Sequence, residues 1–337
     1  MIMVLAGGVG AARMLRALLE VVPATDLVAV VNTADDTVMH GLSISPDIDT
    51  ITYTLAGAID DERGWGLRDE TWRAMEALTR FVPVRPSGSV AAPTWFNLGD
   101  TDLATHFYRT ARLQEGATLT EVTAEIVRAF GLDVRLLPMS DDRVETRVTL
   151  AEPPAGTVVD PTVGPPTGSV EISFQEYFVQ RHHAVAISAI RFAGARDARL
   201  TTDAASAMNG ADAVIVAPSN PLVSIGPVRA LAGVDATLSA RRETVVAVSP
   251  IIGGVALKGP ADRMLAELGH EPSVVGVARL YAPIAASLII DPADEHLADA
   301  VRAAGMEPVV VPSIMSSRAA SARLARAALS AAGVTID

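Results

Sequence analysis

The chain has 337 residues, half of them hydrophobic and 20% charged, with a net charge of −12 and no cysteine. That composition supports a large globular core and excludes disorder, disulfides, thiolate catalysis, Cys-ligated metal centres and a basic surface for nucleic acid. No apolar run approaches the roughly 18–20 residues of a membrane span; the N-terminus lacks the basic start and small-residue cleavage site of a signal peptide, so a cytoplasmic protein is expected.

An apolar run at residues 2–6 leads into "GGVG" (Gly7, Gly8, Val9, Gly10), and residues 11–22 carry apolar side chains at helical spacing. Residues 26–32, "DLVAVVN", read as a second buried strand. Strand, Gly turn, helix and strand make a βαβ unit and a parallel sheet. Residues 71–78, 101–114 and 119–130 read as helices, the last with Thr118 as N-cap. In the second of them, the face 103/106/107/110 would point His106 the same way as Leu103 and Phe107. "RVETRVTLAE" and "GSVEISFQEYFV" alternate like a hairpin, separated by "PPAGTVVDPTVGPPTG", whose Pro and Gly density marks a surface loop. Apolar runs at 184–190, 213–217, 244–248, 286–290 and 308–311 read as further strands, with helices at 260–268, 294–304 and 317–332. The expected architecture is α/β: a Rossmann-like, doubly wound, mostly parallel sheet of about six strands. It forms one domain, 1–337, with an inserted helical and hairpin subdomain at about 52–183.

The Gly turn exposes backbone N–H groups at a helix N-terminus, which suits a phosphate. It is not the dinucleotide fingerprint, because Arg13 stands where the third Gly belongs. It is not a Walker loop either: every basic residue except Lys258 is an arginine, and no Gly-Lys-Ser/Thr occurs. "NTADDTVMHGLSISPDIDT", residues 32–50, holds Asn32, Asp35, Asp36, Asp47 and Asp49 just after the second strand. Carboxylates in such a turn hold a divalent cation or a ribose, or cap turns and helices. "LLPMSDD" places Ser140 and Asp141 after another strand, "APSNPLVSIGP" places Ser219, Asn220, Ser224 and Gly226 after a fourth, and "SPIIGG" follows a fifth. Five polar turns at strand carboxyl ends point to one large cleft for a phosphorylated ligand with a divalent cation. Asp100 and Asp102 fall near the start of the helix that carries His106, where carboxylates suit the helix dipole.

Nine blocks in order, "GGVGAARML", "VNTADD", "ISPDIDTITYTLAG", "RGWGLRDETW", "LGDTDLATHFYR", "LPMSDDRVETRV", "FQEYFV", "APSNPLVSIGP" and "VSPIIGG", resemble the 2-phospho-L-lactate transferase family. The resemblance implies a step in coenzyme F-420 biosynthesis: transfer of a phospho-acid group from a guanosine diphospho-acid to the ribitol hydroxyl of a deazaflavin, Fo (7,8-didemethyl-8-hydroxy-5-deazariboflavin), with loss of GMP and with Mg²⁺. Phosphoenolpyruvyl, phospholactyl and phosphoglyceryl donors occur in the family, and "VSIGP", "RGWG" and "ETRV" look closer to its bacterial branch. By resemblance, Asp49 belongs to Fo binding and, with Asp36, to catalysis and the metal; Asp47, Asp100, Asp102, His106 and Arg63 surround the substrates. Gly7, Gly8, Val9 and Gly10 would meet the donor phosphates and Ser219, Asn220, Ser224 and Gly226 the guanosine side, with Asn32, Ser140 and Asp141 also binding substrate. Asp35 reads as a solvated turn residue. Many members carry a basic residue where this chain has Asn97; either another group such as Arg63 or Arg68 covers that contact, or it is dispensable. The family also implies small-molecule partners and a homodimer. The rival readings are a non-catalytic nucleotide-sugar-binding regulator of the same superfamily and, against the failed third Gly, a dinucleotide-dependent oxidoreductase.

Overall fold

A computed structural model describes residues 1–151 and 170–335; the loop read at 153–168 lies outside the described residues. β1 (Ile2–Ala6) runs into α1 (Gly8–Leu18), and β2 (Leu27–Val31) returns beside β1. A small hairpin, β3 (Thr37–Met39) and β4 (Leu42–Ile44), leads into α2 (Pro46–Leu55). Then come α3 (Arg73–Leu78), α4 (Asp102–Gln114), α5 (Leu119–Ala129) and β5 (Arg135–Pro138). β6 (Glu145–Leu150), β7 (Glu171–Ser173) and β8 (Ile187–Ala193) form a separate antiparallel sheet. The chain continues through α6 (Thr202–Gly210), β9 (Ala213–Val216), α7 (Gly226–Arg229), α8 (Val234–Ala240) and β10 (Val245–Val248). A tight hairpin, β11 (Ile251–Ile252) and β12 (Val255–Ala256), precedes α9 (Ala261–Glu267) and α10 (Val274–Tyr281). β13 (Ser287–Ile290), α11 (Ala298–Ala303), β14 (Glu307–Val310) and α12 (Arg318–Ala331) close the fold.

The central sheet has seven strands in the order β14-β13-β10-β9-β1-β2-β5, all parallel. This is the doubly wound α/β architecture read from the sequence, with seven strands rather than about six. The edge strand β5 lies within the 52–183 stretch and nonetheless completes this sheet. Alternate side chains of each strand enter two separate cores. Met3, Leu5, Val28, Val30, Val214 and Val216 pack on one face; Ile2, Val4, Leu27, Ala29, Val31 and Ile215 pack on the other with α1 and α12. Burial on both faces is why these strands are continuous apolar runs.

The structure departs from the sequence reading in three places. The run 184–190 does not join the central sheet; its strand, β8, pairs antiparallel with β6. Only Ile187 of β8 is buried, the rest being partly or fully exposed, and a strand with one wet face suits an antiparallel sheet rather than a parallel sheet covered on both sides. β7 is only three residues long, and "FQEYFV" continues as a π-helical turn, Glu176–Gln180. In α4 the buried residues are Thr105, His106, Arg109 and Thr110, while Phe107 is 56% exposed. The inward face is therefore polar and lies beside the one inferred from hydrophobic spacing.

Candidate active site

The five polar turns follow β1, β2, β5, β9 and β10, which are neighbours in the sheet and run parallel, so all five lie on one rim. From β1 the chain winds outward to β2 and β5; from β9 it winds the other way to β10, β13 and β14. The reversal between β1 and β9 is the switch point at which doubly wound sheets open a crevice.

The Gly turn sits at that point. α1 starts at Gly8, whose φ is +70°, a left-handed conformation that favours glycine. A Cβ on Gly7 would stand 2.8 Å from Ser224 Cβ and 2.9 Å from Asp47 Oδ2, and one on Gly10 would stand 2.1 Å from the Pro218 carbonyl oxygen. The glycines thus let the turn after β9 close against the turn after β1. Ser219 Oγ ties the two by donating to the Gly7 carbonyl at 2.7 Å. Asn220 shapes its own turn: Oδ1 accepts from Leu222 N at 2.9 Å, and its carbonyl accepts from Ser224 N at 3.0 Å. Gly226 begins α7, where a Cβ would meet Phe192 Cζ at 3.1 Å.

α2 brings the aspartates together. The Asn32 amide donates to Asp35 Oδ2 at 3.1 Å and to Asp47 Oδ2 at 3.0 Å. Ser45 Oγ donates to Asp36 Oδ2 at 2.6 Å, and the Gly8 N–H faces the Asp47 carboxylate and favours its ionised form. Asp35 is not the solvated turn residue that the sequence suggests. It is 6% exposed, drawn inward by Asn32 and by Gln175 Nε2, which donates to its carbonyl at 2.9 Å. Burial, then the charge of Asp47, raises the Asp35 carboxyl well above its usual range. Burial likewise pushes Asp36 up to about 8, against the hydrogen bond from Ser45, and Asp47 up to about 6, against those from Asn32 and Gly8. The Oδ1 atoms of Asp35 and Asp36 are buried without a hydrogen-bond partner. A cleft of about 250 Å³ opens beside Asp36 between the β3–β4 hairpin and the turn after β5, with Thr33, Ser45, Thr118 and Asp141 among its walls.

Asp49, two residues further along in the same first turn of α2, has a different partner. Arg109 Nη1 donates to Asp49 Oδ2 at 3.1 Å, and Nη2 donates to Oδ1. Arg109 is fully buried; burial works against its cation, and Asp49 more than offsets this. Asp102, His106 and Arg109 occupy positions i, i+4 and i+7 of α4 and form one stripe. Tyr53 Oη donates to Asp102 Oδ1 at 2.5 Å. Burial raises the Asp102 carboxyl, but His106 and this hydroxyl bring it below its ordinary value. Arg109 Nη1 lies 3.3 Å from His106 Nδ1. A guanidinium only donates, so Nδ1 accepts and the ring proton sits on Nε2, which faces Asp102 Oδ2 at 3.4 Å.

The other nominated residues have structural partners. Asp100 accepts from Arg73 N at 2.9 Å and Ala74 N at 3.0 Å, capping α3 rather than α4. Glu70 caps α4 in exchange, accepting from Thr101 N at 2.7 Å and Asp102 N at 3.0 Å. Asp141 accepts from Thr120 N at 2.8 Å in the first turn of α5, a helix that starts at the expected N-cap Thr118, which forms a capping box with Glu121. Ser140 Oγ donates to the Arg199 carbonyl at 2.6 Å. Arg63 pairs with Asp60 at 2.8 Å and packs over Trp65 and Trp72. Arg68 donates to the Gly57 carbonyl at 3.0 Å. Lys258 Nζ comes 2.7 Å from the point where a Gly64 side chain would begin, so the loop holding Arg63 meets the loop after β12. Asn97 is exposed.

The carboxylate oxygens beside Asp36 fit a hard cation: they are oxygen donors, burial leaves their charge uncompensated, and two of them lack partners. Among the described residues no group of three or more His, Asp or Glu is arranged to ligate a metal. An ion there would share its shell with water and substrate phosphates, the usual manner of Mg²⁺. No helix of the described residues is long and apolar enough to cross a membrane.

A family model for the 2-phospho-L-lactate transferase CofD matches residues 2–328. Curated relatives named phosphoenolpyruvate transferase include one from Kitasatospora aureofaciens, 40% identical over 98% of this chain and 97% of its own length. One from Nocardia farcinica is 39% identical over 99% and 95%, and one from Mycobacterium tuberculosis is 38% identical over 98% of each chain. A crystal structure of a Bacillus halodurans protein of the UPF0052 family superposes with a TM-score of 0.56 at 12% identity, covering 97% of this chain and 98% of that one; at that identity the likeness concerns the fold. The chain is a transferase enzyme and belongs to the 2-phospho-L-lactate transferase family.

Proposed function

We propose that the protein transfers a phosphoenolpyruvyl group from a guanosine diphospho-acid to the ribitol hydroxyl of Fo, releasing GMP, in coenzyme F-420 biosynthesis. The observation that carries this reading is the near-complete alignment, at about 40% identity, with relatives named phosphoenolpyruvate transferase. The hydroxyl oxygen forms a bond to the phosphorus that carries the enolpyruvyl group. The bond from that phosphorus to the bridging oxygen of GMP breaks, and the hydroxyl proton passes to solvent.

Such a transfer depends on positioning and charge neutralisation rather than on a covalent nucleophile. The first N–H groups of α1 have no partners within the helix. That of Gly8 faces Asp47, and those of Val9 and Gly10 are offered to a donor phosphate. Ser219, Asn220 and Ser224 form the opposite wall, toward the guanosine. Asp36, with its free Oδ1, is the carboxylate best suited to hold Mg²⁺, with Asp47 and Asp35 behind it. Mg²⁺ supplies charge neutralisation at the phosphates. Asp49 has both oxygens engaged by Arg109, and its remaining lone pairs suit acceptance of the ribitol hydroxyl.

The test is turnover with Fo, Mg²⁺ and, in competition, phosphoenolpyruvyl, phospholactyl and phosphoglyceryl donors. The expected result is stoichiometric GMP with an Fo phosphodiester derived mainly from the enolpyruvyl donor. A preference for either other donor would overturn that assignment. Tight nucleotide binding with no product from any of the three would favour a regulator.

A further inference from the structure

We infer that Arg109 is the positioning residue of the acceptor site, acting on substrate only through Asp49; this rests on the reading of Asp49 as the partner of the ribitol hydroxyl. Arg109 is the largest fully buried side chain of the described residues. It departs from α4, outside the region of the central strands β1 and β2, and its guanidinium ends on a carboxylate of α2 at the rim. The contact is a fork: two nitrogens on two oxygens of one carboxylate. A fork fixes the plane of the carboxylate as well as its place, which a single ammonium cannot do.

The guanidinium is itself held from two sides. Nη1 lies 3.4 Å from the Ser43 carbonyl oxygen and 3.3 Å from His106 Nδ1, and His106 in turn faces Asp102, which Tyr53 of α2 holds. The Thr110 hydroxyl, next along α4, accepts from Ser43 N at 2.8 Å. α4 is thereby clamped to β4 and α2 by polar contacts. The arginine's Nε is buried without a partner, a cost that ordinary hydrophobic packing at this position would avoid. The geometry is that of a residue retained to orient Asp49.

Three predictions separate positioning from bulk support. Arg109→Lys keeps the buried charge and discards the fork; it folds, but kcat falls at least about 10-fold, consistent with the penalty for a small misplacement of a reacting group, while KM for the guanosine donor stays within about 2-fold. Arg112→Lys, three residues on and paired with Glu125 on the outer side, keeps wild-type kcat. Because Arg109 acts through Asp49, the amide pair Asp49→Asn/Arg109→Gln turns over no more slowly than Asp49→Asn alone. This pair leaves neither member of the ion pair charged, so it tests the point even if Arg109→Lys folds poorly. Wild-type kcat and Fo KM in Arg109→Lys would overturn the inference, as would a double variant slowed by a further 10-fold. Wild-type protein that forms no product with any donor would instead overturn the functional reading on which the inference rests.

Discussion

Asp49 and the group Asp35, Asp36 and Asp47 lie within fifteen residues of one another, yet their surroundings are opposite. Asp49 meets a buried cation that matches it in charge and shape. The other three share an asparagine amide, a serine hydroxyl and a glycine N–H, and burial lifts their carboxyls, to about 8 for Asp36 and about 6 for Asp47. The difference separates two ways of using a carboxylate. A balanced one is a fixed fixture; an unbalanced group is a site whose charge is completed by something that binds. Breaking a buried pair typically costs about 3–5 kcal/mol, so Asp49 is held in the folded state whether or not substrate is present.

The largest expected effect is on the balanced side. Asp49→Asn should lower kcat at least about 100-fold, the scale of losing a group aimed at the transition state, and should cost on the order of 3 kcal/mol because Arg109 loses its counter-charge. Near-wild-type initial rates at saturating Mg²⁺ would remove Asp49 from the acceptor site. Next comes the glycine turn that borders the unbalanced group. Gly8→Val forces a β-branched residue to a φ of +70° and should weaken donor binding about 10-fold or more, read by equilibrium titration. An unchanged donor affinity would sink the phosphate-turn assignment.

The unbalanced group should also give a pH signature. Its folded-state pKa values lie above those of an unfolded carboxylate, so the folded state holds extra protons between the ordinary carboxylate range and about 8. Stability of metal-free protein should therefore be greatest at the acid side of that window and fall as pH rises through it. Mg²⁺, which favours the ionised forms, should flatten the fall. Calorimetric Tm values at pH 5, 7 and 9, with chelator and with Mg²⁺, read this directly; a metal-free Tm that rises across the window would contradict the burial of these carboxyls. The smallest effect belongs to Asp141, a helix cap by its contacts. Asp141→Ala should lower Tm by a few degrees at most and leave kcat within about 2-fold. A large kcat loss with intact stability would return Asp141 to the site.

Much of this frame is legible in the sequence, and the reasons are local. The strands of the central sheet are unbroken apolar runs because both their faces are buried, and the Gly turn announces itself between the first strand and its helix. The N-cap of α5 is read from Thr118, and the structure adds Glu121 to it as a capping box. The errors are equally local in origin. Counting apolar residues turned α4 by one position, because Phe107 is hydrophobic yet exposed. Residue type alone places Arg109 at the surface, where arginines default; the signal for its burial is the spacing of Asp102, His106 and Arg109 along one stripe.

By itself the sequence determined that the chain is a doubly wound α/β protein with polar turns at five strand ends, since periodicity and turn chemistry are carried by neighbouring residues. Only the tertiary structure decided which aspartate is paired and which are left uncompensated. That depends on a helix sixty residues further along whose guanidinium makes its forked hydrogen bond with Asp49, while Asp36 feels that charge only as a weaker pull against its burial. The caps of α3 and α4 are tertiary in the same way, because Asp100 and Glu70 each serve the other's helix. A side chain's charge is a property of the sequence, but its counter-charge is a property of the fold.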